Sequence, residues 1–189
     1  MAGIDYFLGV TNDSSATMKS IAQGATKPTK LALPLAFQAD SQDEECAGWI
    51  QLQSWSFGVS NSGSFGIGSG GGSGKASMQD FHFTMHPSTA TPELFMHCCN
   101  GKHFENAFVV AKKSGGVKTV HYLRFWFRKL VISSYQTGGS GGSDANSDSV
   151  SFNFASLQLS FTPQSPTGGA LPAVDKAWST TRNIEDTQP

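Results

Sequence analysis

Three groups of residues have the types and spacing to invite a chemical reading. The run Gly66-Ile67-Gly68-Ser69-Gly70-Gly71-Gly72-Ser73-Gly74-Lys75 suggests a loop that wraps phosphates. Such a loop needs a glycine five residues before its final Gly-Lys and then a Ser or Thr to hold magnesium. Ser69 and Ala76 stand at those two places, so a flexible loop is the expectation. Gly138-Gly139-Ser140-Gly141-Gly142 fits the spacing of a nucleophile elbow, which sits between a strand and a helix. Ser143-Asp144-Ala145-Asn146-Ser147-Asp148 follows it and does not read as a helix, so the match is put down to low complexity.

The third group is His97, Cys98, Cys99 and His103. Neighbouring side chains on a helix point about 100° apart, so the two thiols do not converge on one ion. No second cysteine pair or spaced histidine pair supports zinc, and His82 with His86 gives only two ligands, four residues apart. No pair of carboxylates or Cys/His dyad stands out either. The expectation is a chain without catalytic residues, metal or cofactor. Its enzymatic alternative is a small serine hydrolase using Ser140 or a histidine.

The elements that would position these residues are mostly strands. Glycines (21 of 189 residues) and aromatics (11%) suit strands joined by turns better than a helix bundle. Tyr6–Val10 reads as a short strand, residues 11–30 as loop, and the alternating Leu31, Leu33, Leu35 and Phe37 as a strand that Pro34 confines to an edge or bulge. Asp40–Glu45 reads as a solvated acidic loop. Ile50 and Leu52 have one parity and Trp55, Phe57 and Val59 the other, which places a bulge near Gln53 or Ser54. Phe81, Phe83 and Met85 alternate with polar residues. Phe104, Phe108 and Val110 continue the pattern with Asn106 as an interruption. In the longest strand, Lys118–Gln136, Leu123, Phe125 and Phe127 oppose Tyr122, Arg124, Trp126 and Arg128. Val150, Phe152 and Phe154 change phase to Leu157, Leu159 and Phe161, implying a second bulge near Ala155-Ser156.

One helix is expected, with Thr91 as cap, Pro92 at its first position, Glu93 at the positive end of its dipole and Asn100-Gly101 as its stop. Its Leu94, Phe95 and Cys98 should pack on the strands, and its thiols should be buried and reduced. Residues 164–189 read as an extended, poorly packed tail with Trp178 as the candidate anchor. Such strands and turns predict a mainly β sandwich or barrel.

Composition narrows the function. Thirteen basic residues against fourteen acidic ones leave a net charge of −1, too little positive charge for a phosphate-reading surface, so no nucleic acid partner is expected. No apolar run is long enough to insert in a membrane, and the start lacks the basic-then-apolar pattern of a secretory signal. Three cysteines do not make a disulfide framework, which points to folding in the cytoplasm.

Several segments together resemble the haemolysin-coregulated protein (Hcp) family: Trp55–Ser60, Gly74–Thr84, Thr91–Leu94, Cys99–Phe104, Val131–Gly142 and Val150–Ala155. The resemblance covers residues 49–163. It implies a compact antiparallel β-barrel with one flanking short α-helix, assembling into hexameric rings that stack as the inner tube of the type VI secretion system. Implied partners are its own copies, the spike protein, the sheath proteins and cargo effectors. The implied route runs from the bacterial cytoplasm to the outside through the machine, without a signal peptide. A tail-tube protein of a related phage-like machine is the alternative. The barrel domain is expected over residues 1–163. Within it, residues 11–37 look inserted, and Asp43-Glu44-Glu45-Cys46 stands where the family has a basic turn. Either Tyr6–Val10 or Leu31–Phe37 could then be the first strand, and Tyr6–Val10 is favoured by its place at the start.

Two surfaces follow from the resemblance and the alternation. If Trp55, Phe57 and Val59 fill the barrel, Ser54, Ser56, Gly58 and Ser60 face the other way, and Ser54, Ser56 and Gly58 become candidates for a lumen or cargo face. An ordinary solvated sheet face has the same pattern. The long strand carries bulky groups on both sides and needs cover on both, which makes Tyr122 and Trp126 candidates for a subunit interface.

Overall fold

The computed structural model describes residues 3–21, 31, 33–63, 74–115, 118–141, 146–165 and 169–186. Most of the Gly66–Lys75 loop, residues 142–145 after Ser140 and residues 22–30 of the expected insertion lie outside that set. The strands are β1 (Ile4–Thr11), β2 (Ile50–Ser56), β3 (Val59–Asn61), β4 (Ala76–Met78), β5 (Phe81–Met85), β6 (His103–Gly115), β7 (Lys118–Gly138), β8 (Ser147–Phe161), β9 (Val174–Ser179) and β10 (Ile184–Glu185). The helix α1 spans Ala90–Asn100, and a 3-10 turn spans Met18–Ile21. β8, β5, β2, β1, β6 and β7 pair antiparallel in that order, and β7 returns to β8, closing a six-stranded barrel. Tyr6–Val10 therefore lies in the first barrel strand, and the described residues among 31–37 form no strand.

Period-2 patterning explains the interior. Phe81, Phe83 and Met85 are fully buried and alternate with half-exposed His82 and Thr84. The expected bulge in β2 is present: the β2–β5 register shifts between Leu52 and Ser54. It turns Trp55 inward after Leu52, where its ring stacks on Phe81 at 5.8 Å between centroids. In β8 the phase change at Ala155-Ser156 is real but is not a bulge. β7 changes phase opposite it, at Lys129 with φ 49°, so Phe127↔Leu157 and Leu130↔Phe154 both point inward in unbroken register. The β7–β8 shift lies instead between Ile132 and Ser134.

The outer face of β1, β6 and β7 carries a second apolar cluster. Phe7, Phe108, Val110 and Trp126 lie under Met18, Ile21, Leu31, Leu33, Cys46 and Trp49, a strap made by the described residues between β1 and β2. The cover that the long strand requires thus comes from its own chain. Trp126 is 4% exposed and offers no surface to a neighbour, which removes the reason for placing it at a subunit boundary. Its indole N–H donates to Asn106 at 2.7 Å, and the Asn106 amide donates to the carbonyl of Asp13 at 2.7 Å. The polar interruption in β6 is the post to which the strap is tied.

Two further expectations change. Residues 174–179 and 184–185 of the tail form strands: β9 pairs with β8 where β5 has ended, and Thr180 bonds to the Ala155 carbonyl through its N–H and its hydroxyl, at 2.9 and 2.6 Å. The helix begins two residues earlier than expected, at Ala90 rather than Pro92. Thr89 takes the N-cap place, and the Thr91 hydroxyl donates to buried Asp148 on β8 at 2.6 Å. Gly101 ends the helix in the left-handed region at φ 65°, as expected. Leu94 is fully buried, but Phe95 is 48% exposed, Cys99 is exposed and Cys98 half-buried; the fully buried thiol is Cys46.

Candidate assembly and cargo surfaces

The outward face of β2, β5, β8 and β7 is built by pairing rather than by any one segment. Register places Ser56, His82, Ser151 and Ser134 in one row across the four strands, and Ser54, Thr84, Ser149 and Gln136 in the next. Paired residues on adjacent antiparallel strands share a face, with Cβ atoms about 5 Å apart. The rows are therefore one continuous hydroxyl and amide surface. Ser54 and Thr84 share a hydrogen bond of 2.7 Å, and His82 Nδ1 lies 3.1 Å from Ser151 Oγ and its Nε2 3.5 Å from Ser149 Oγ. None of the eight side chains is a carboxylate or a primary or guanidino base. At one end Asp80 accepts from Ser133 and Asn153, and at the other Gln53 bonds His86.

Of the candidate cargo residues, Ser54 and Ser56 lie on this face, exposed. Gly58 does not share a row with them. It follows the end of β2, its carbonyl accepts from Gln79 N–H, and a Cβ there would meet the Gln79 amide at 2.6 Å. Val59, expected in the core, is 59% exposed on the β3–β4 ribbon, which leaves Trp55 and Phe57 as the residues that fill the barrel. Tyr122 is half-buried beside Tyr6. Burial, then the Tyr6 hydroxyl, pushes its phenol up to about 12. His82 was legible as a polar residue between Phe81 and Phe83, but its place between two serines required the register.

The other chemical candidates disperse. His97 stacks on Phe104 at 4.2 Å and its Nδ1 lies 2.9 Å from the Glu93 carbonyl oxygen. Among the described residues no three His, Cys, Asp or Glu side chains gather as metal ligands. Ser140 lies exposed beyond the end of β7. The Ser151–His82 contact has a second hydroxyl, not a carboxylate, on the other imidazole nitrogen, so it lacks the orienting acid that activates a serine.

The acidic run is not solvated throughout. Lys112 on β6 bonds Asp43 at 2.6 Å and Glu45 at 2.9 Å, and Glu45 also meets His121 on β7 at 2.9 Å. Glu45 is 2% exposed. Burial alone would raise both carboxyls, but hydrogen bonds from Lys112 and, for Glu45, first from His121 outweigh it and hold them below their ordinary range. Lys112 is opposed by burial and carried above its ordinary value by the same two carboxylates. This cluster clamps the strap onto β6 and β7.

A closed antiparallel barrel with, among the described residues, one α-helix docked on it defines the class of this fold. Residues 35–161 match the family described as type VI secretion system effector, Hcp. Protein hcp1 of Pseudomonas aeruginosa is 38% identical over 112 residues, 59% of this chain and 69% of that protein. Among solved structures, a type six secretion system protein superposes with a TM-score of 0.79 at 20% identity, covering 97% of this chain and all of that one. Hcp1 of Salmonella typhimurium gives 0.69 at 22% identity, covering 98% and 100%. A type VI secretion system effector of Yersinia pestis gives 0.64 at 18% identity, covering 93% and 99%. The chain belongs to the Hcp family and is a structural ring and tube protein of the type VI secretion system. No helix among the described residues is long and apolar enough to cross a membrane.

Proposed function

We propose that six copies close into a ring whose channel is lined by the hydroxyl face of β2, β5, β8 and β7, that such rings stack into the secretion tube, and that effectors travel bound weakly in the channel. The observation that carries this reading is the composition of that face: two rows of side chains with no carboxylate, lysine or arginine among them. A surface of small hydroxyls binds polypeptide without the large desolvation costs or gains of buried charge, which suits a load that must later leave. Tyr122 remains the candidate for the subunit boundary, while Trp126 is engaged by its own strap. Partners beyond the ring are the spike, the sheath and the cargo. The route outward is the machine itself, starting from the cytoplasm.

The direct test is Ser56→Gln, which adds bulk on the face without charge. Rings six times the 20.1 kDa chain mass should persist in solution scattering and negative-stain images, while a cognate effector no longer co-purifies. Intact rings that keep their effector would refute the channel assignment. Loss of rings would move Ser56 to a subunit interface.

A further inference from the structure

The outer face of the barrel buries two aliphatic-stemmed cations, and the fold provides for them unequally. Lys112 on β6 meets two carboxylates, at 2.6 and 2.9 Å. Arg124 on β7 is 9% exposed, yet it forms no ion pair among the described residues. Its guanidinium makes one hydrogen bond, from Nη2 to Ser160 Oγ at 2.9 Å, and its buried Nε–H has no partner. We propose that Arg124 is one half of a salt bridge that an acidic side chain of a second copy of this chain completes, so that the site exists only in the ring. The proposal rests on the reading that copies of the chain close into rings. Arginine stays charged at any working pH and is rarely buried without a counter-charge. Its planar fork of donors fits a carboxylate two bonds at a time. Burial holds this guanidinium below its ordinary value even against the pull of Asp175, so that acid does not balance it.

The place of Arg124 in the sheet leaves one side open to a neighbour. Its row across the outer face runs Phe7, Val110, Arg124, Ser160 and Asp175, on β1, β6, β7, β8 and β9. Phe7 and Val110 are buried beneath the strap, whereas Asp175 is exposed. Arg124 thus stands at the rim of the strap, two residues along β7 from Tyr122, and a second copy can approach it over β8 and β9. The chain does not complete the site by itself. The buried strap acid Glu45 and its neighbour Asp43 are committed to Lys112 and His121, and residues 22–30 contain no Asp or Glu. In a closed ring each copy offers its neighbours two different surfaces, so a cation on one can meet an acid on the other. Asp5, Glu44 and Glu93 are exposed and form no ion pair among the described residues, so the chain has acids to spare for this contact.

The test compares the parent with Arg124→Met, which keeps a long apolar stem without charge, and Arg124→Lys, which keeps the charge without the fork. Ring mass is followed by mass photometry on dilution, and chain stability by urea titration at concentrations where only single chains remain. The concentration at which half the rings survive should be at least ten-fold higher for Arg124→Met than for the parent, with Arg124→Lys between them. Separated Arg124→Met chains should be at least as stable as the parent's, because an apolar side chain has replaced a buried, unpaired cation. Rings of Arg124→Met that survive dilution as well as the parent's overturn the proposal. So does a separated Arg124→Met chain that is less stable or unfolded, which would make Arg124 a residue of the fold and not of the assembly. In rings mixed from light- and heavy-nitrogen Arg124→Lys chains, a carbodiimide should join the introduced amine to a carboxylate of the other label. The absence of any link between labels refutes the proposal and leaves the ring reading intact. A parent that stays monomeric at every concentration refutes the ring reading itself, and this proposal with it.

Discussion

At the scale of single residues, polar groups that interrupt an apolar pattern carry much of the specificity. Asn106 breaks the run of β6 and is the bridge between Trp126 and Asp13. Gly9 is needed for a close approach: a Cβ there would lie 2.8 Å from the indole of Trp49, which is 1% exposed and has nowhere to go. Lys112 is the centre of the strap clamp. Lys112→Met leaves Asp43 without its cation and Glu45 with His121 alone, and removing one partner of a buried pair costs about 3 kcal/mol. The cost depends on pH in a fixed direction. Both carboxyls lie below their ordinary values of 3.8 and 4.5 in the fold, so their contribution is full at neutral pH. It declines as pH falls through that range and vanishes once pH is below the lowered folded values. Urea titrations should therefore show parent and Lys112→Met far apart at pH 7 and converging toward pH 3. A gap of constant size would mean that the lysine acts by packing alone.

At the scale of elements, the helix shows what packing adds to local signals. Leu94 is fully buried while Phe95, one residue on, is 48% exposed and touches Tyr135 edge-on at 5.9 Å. Leu94→Asp buries an unpaired carboxylate and should lower stability by about 3 kcal/mol or more, while Phe95→Asp should stay within about 1 kcal/mol. Equal shifts in melting temperature would mean that the helix is docked in another rotation. The barrel strands were readable because alternation in Phe81–Met85 or Leu123–Phe127 is a local property set by one buried face. The strap was not. Leu31, Leu33 and Leu35 alternate as a strand would, yet the barrel closes without a seventh strand there: Leu31 and Leu33 are buried in the cluster that holds Phe108 and Trp126, with Leu35 half-buried against it. The acidic run looked solvated because its partners, Lys112 and His121, lie about seventy residues away in sequence. The face proposed to meet cargo was half legible: Ser54 and Ser56 follow from β2 alone, whereas His82, Ser149 and Ser151 join them only through register.

At the scale of the whole molecule, the two apolar clusters are coupled because they occupy opposite faces of the same strands. Leu8, Val109 and Phe127 point into the barrel while Phe7, Phe108, Val110 and Trp126 lie beneath the strap. Lifting the strap would expose one whole side of β1, β6 and β7 and break the clamp at Lys112, so strap and barrel should open as one cooperative unit. Cys46 reports on this directly. It is fully buried within the strap cluster, and burial pushes its thiol pKa up, so in the folded chain it is both shielded and poorly nucleophilic. Cys99 is exposed and Cys98 half-buried, so both are replaced by serine to leave a single reporter. In that variant the modification of Cys46 by an aromatic disulfide reagent should accelerate with urea, at a slope equal to that of global unfolding followed by circular dichroism. A rate that is fast in water and nearly independent of urea would show instead that the strap opens locally while the barrel stays closed.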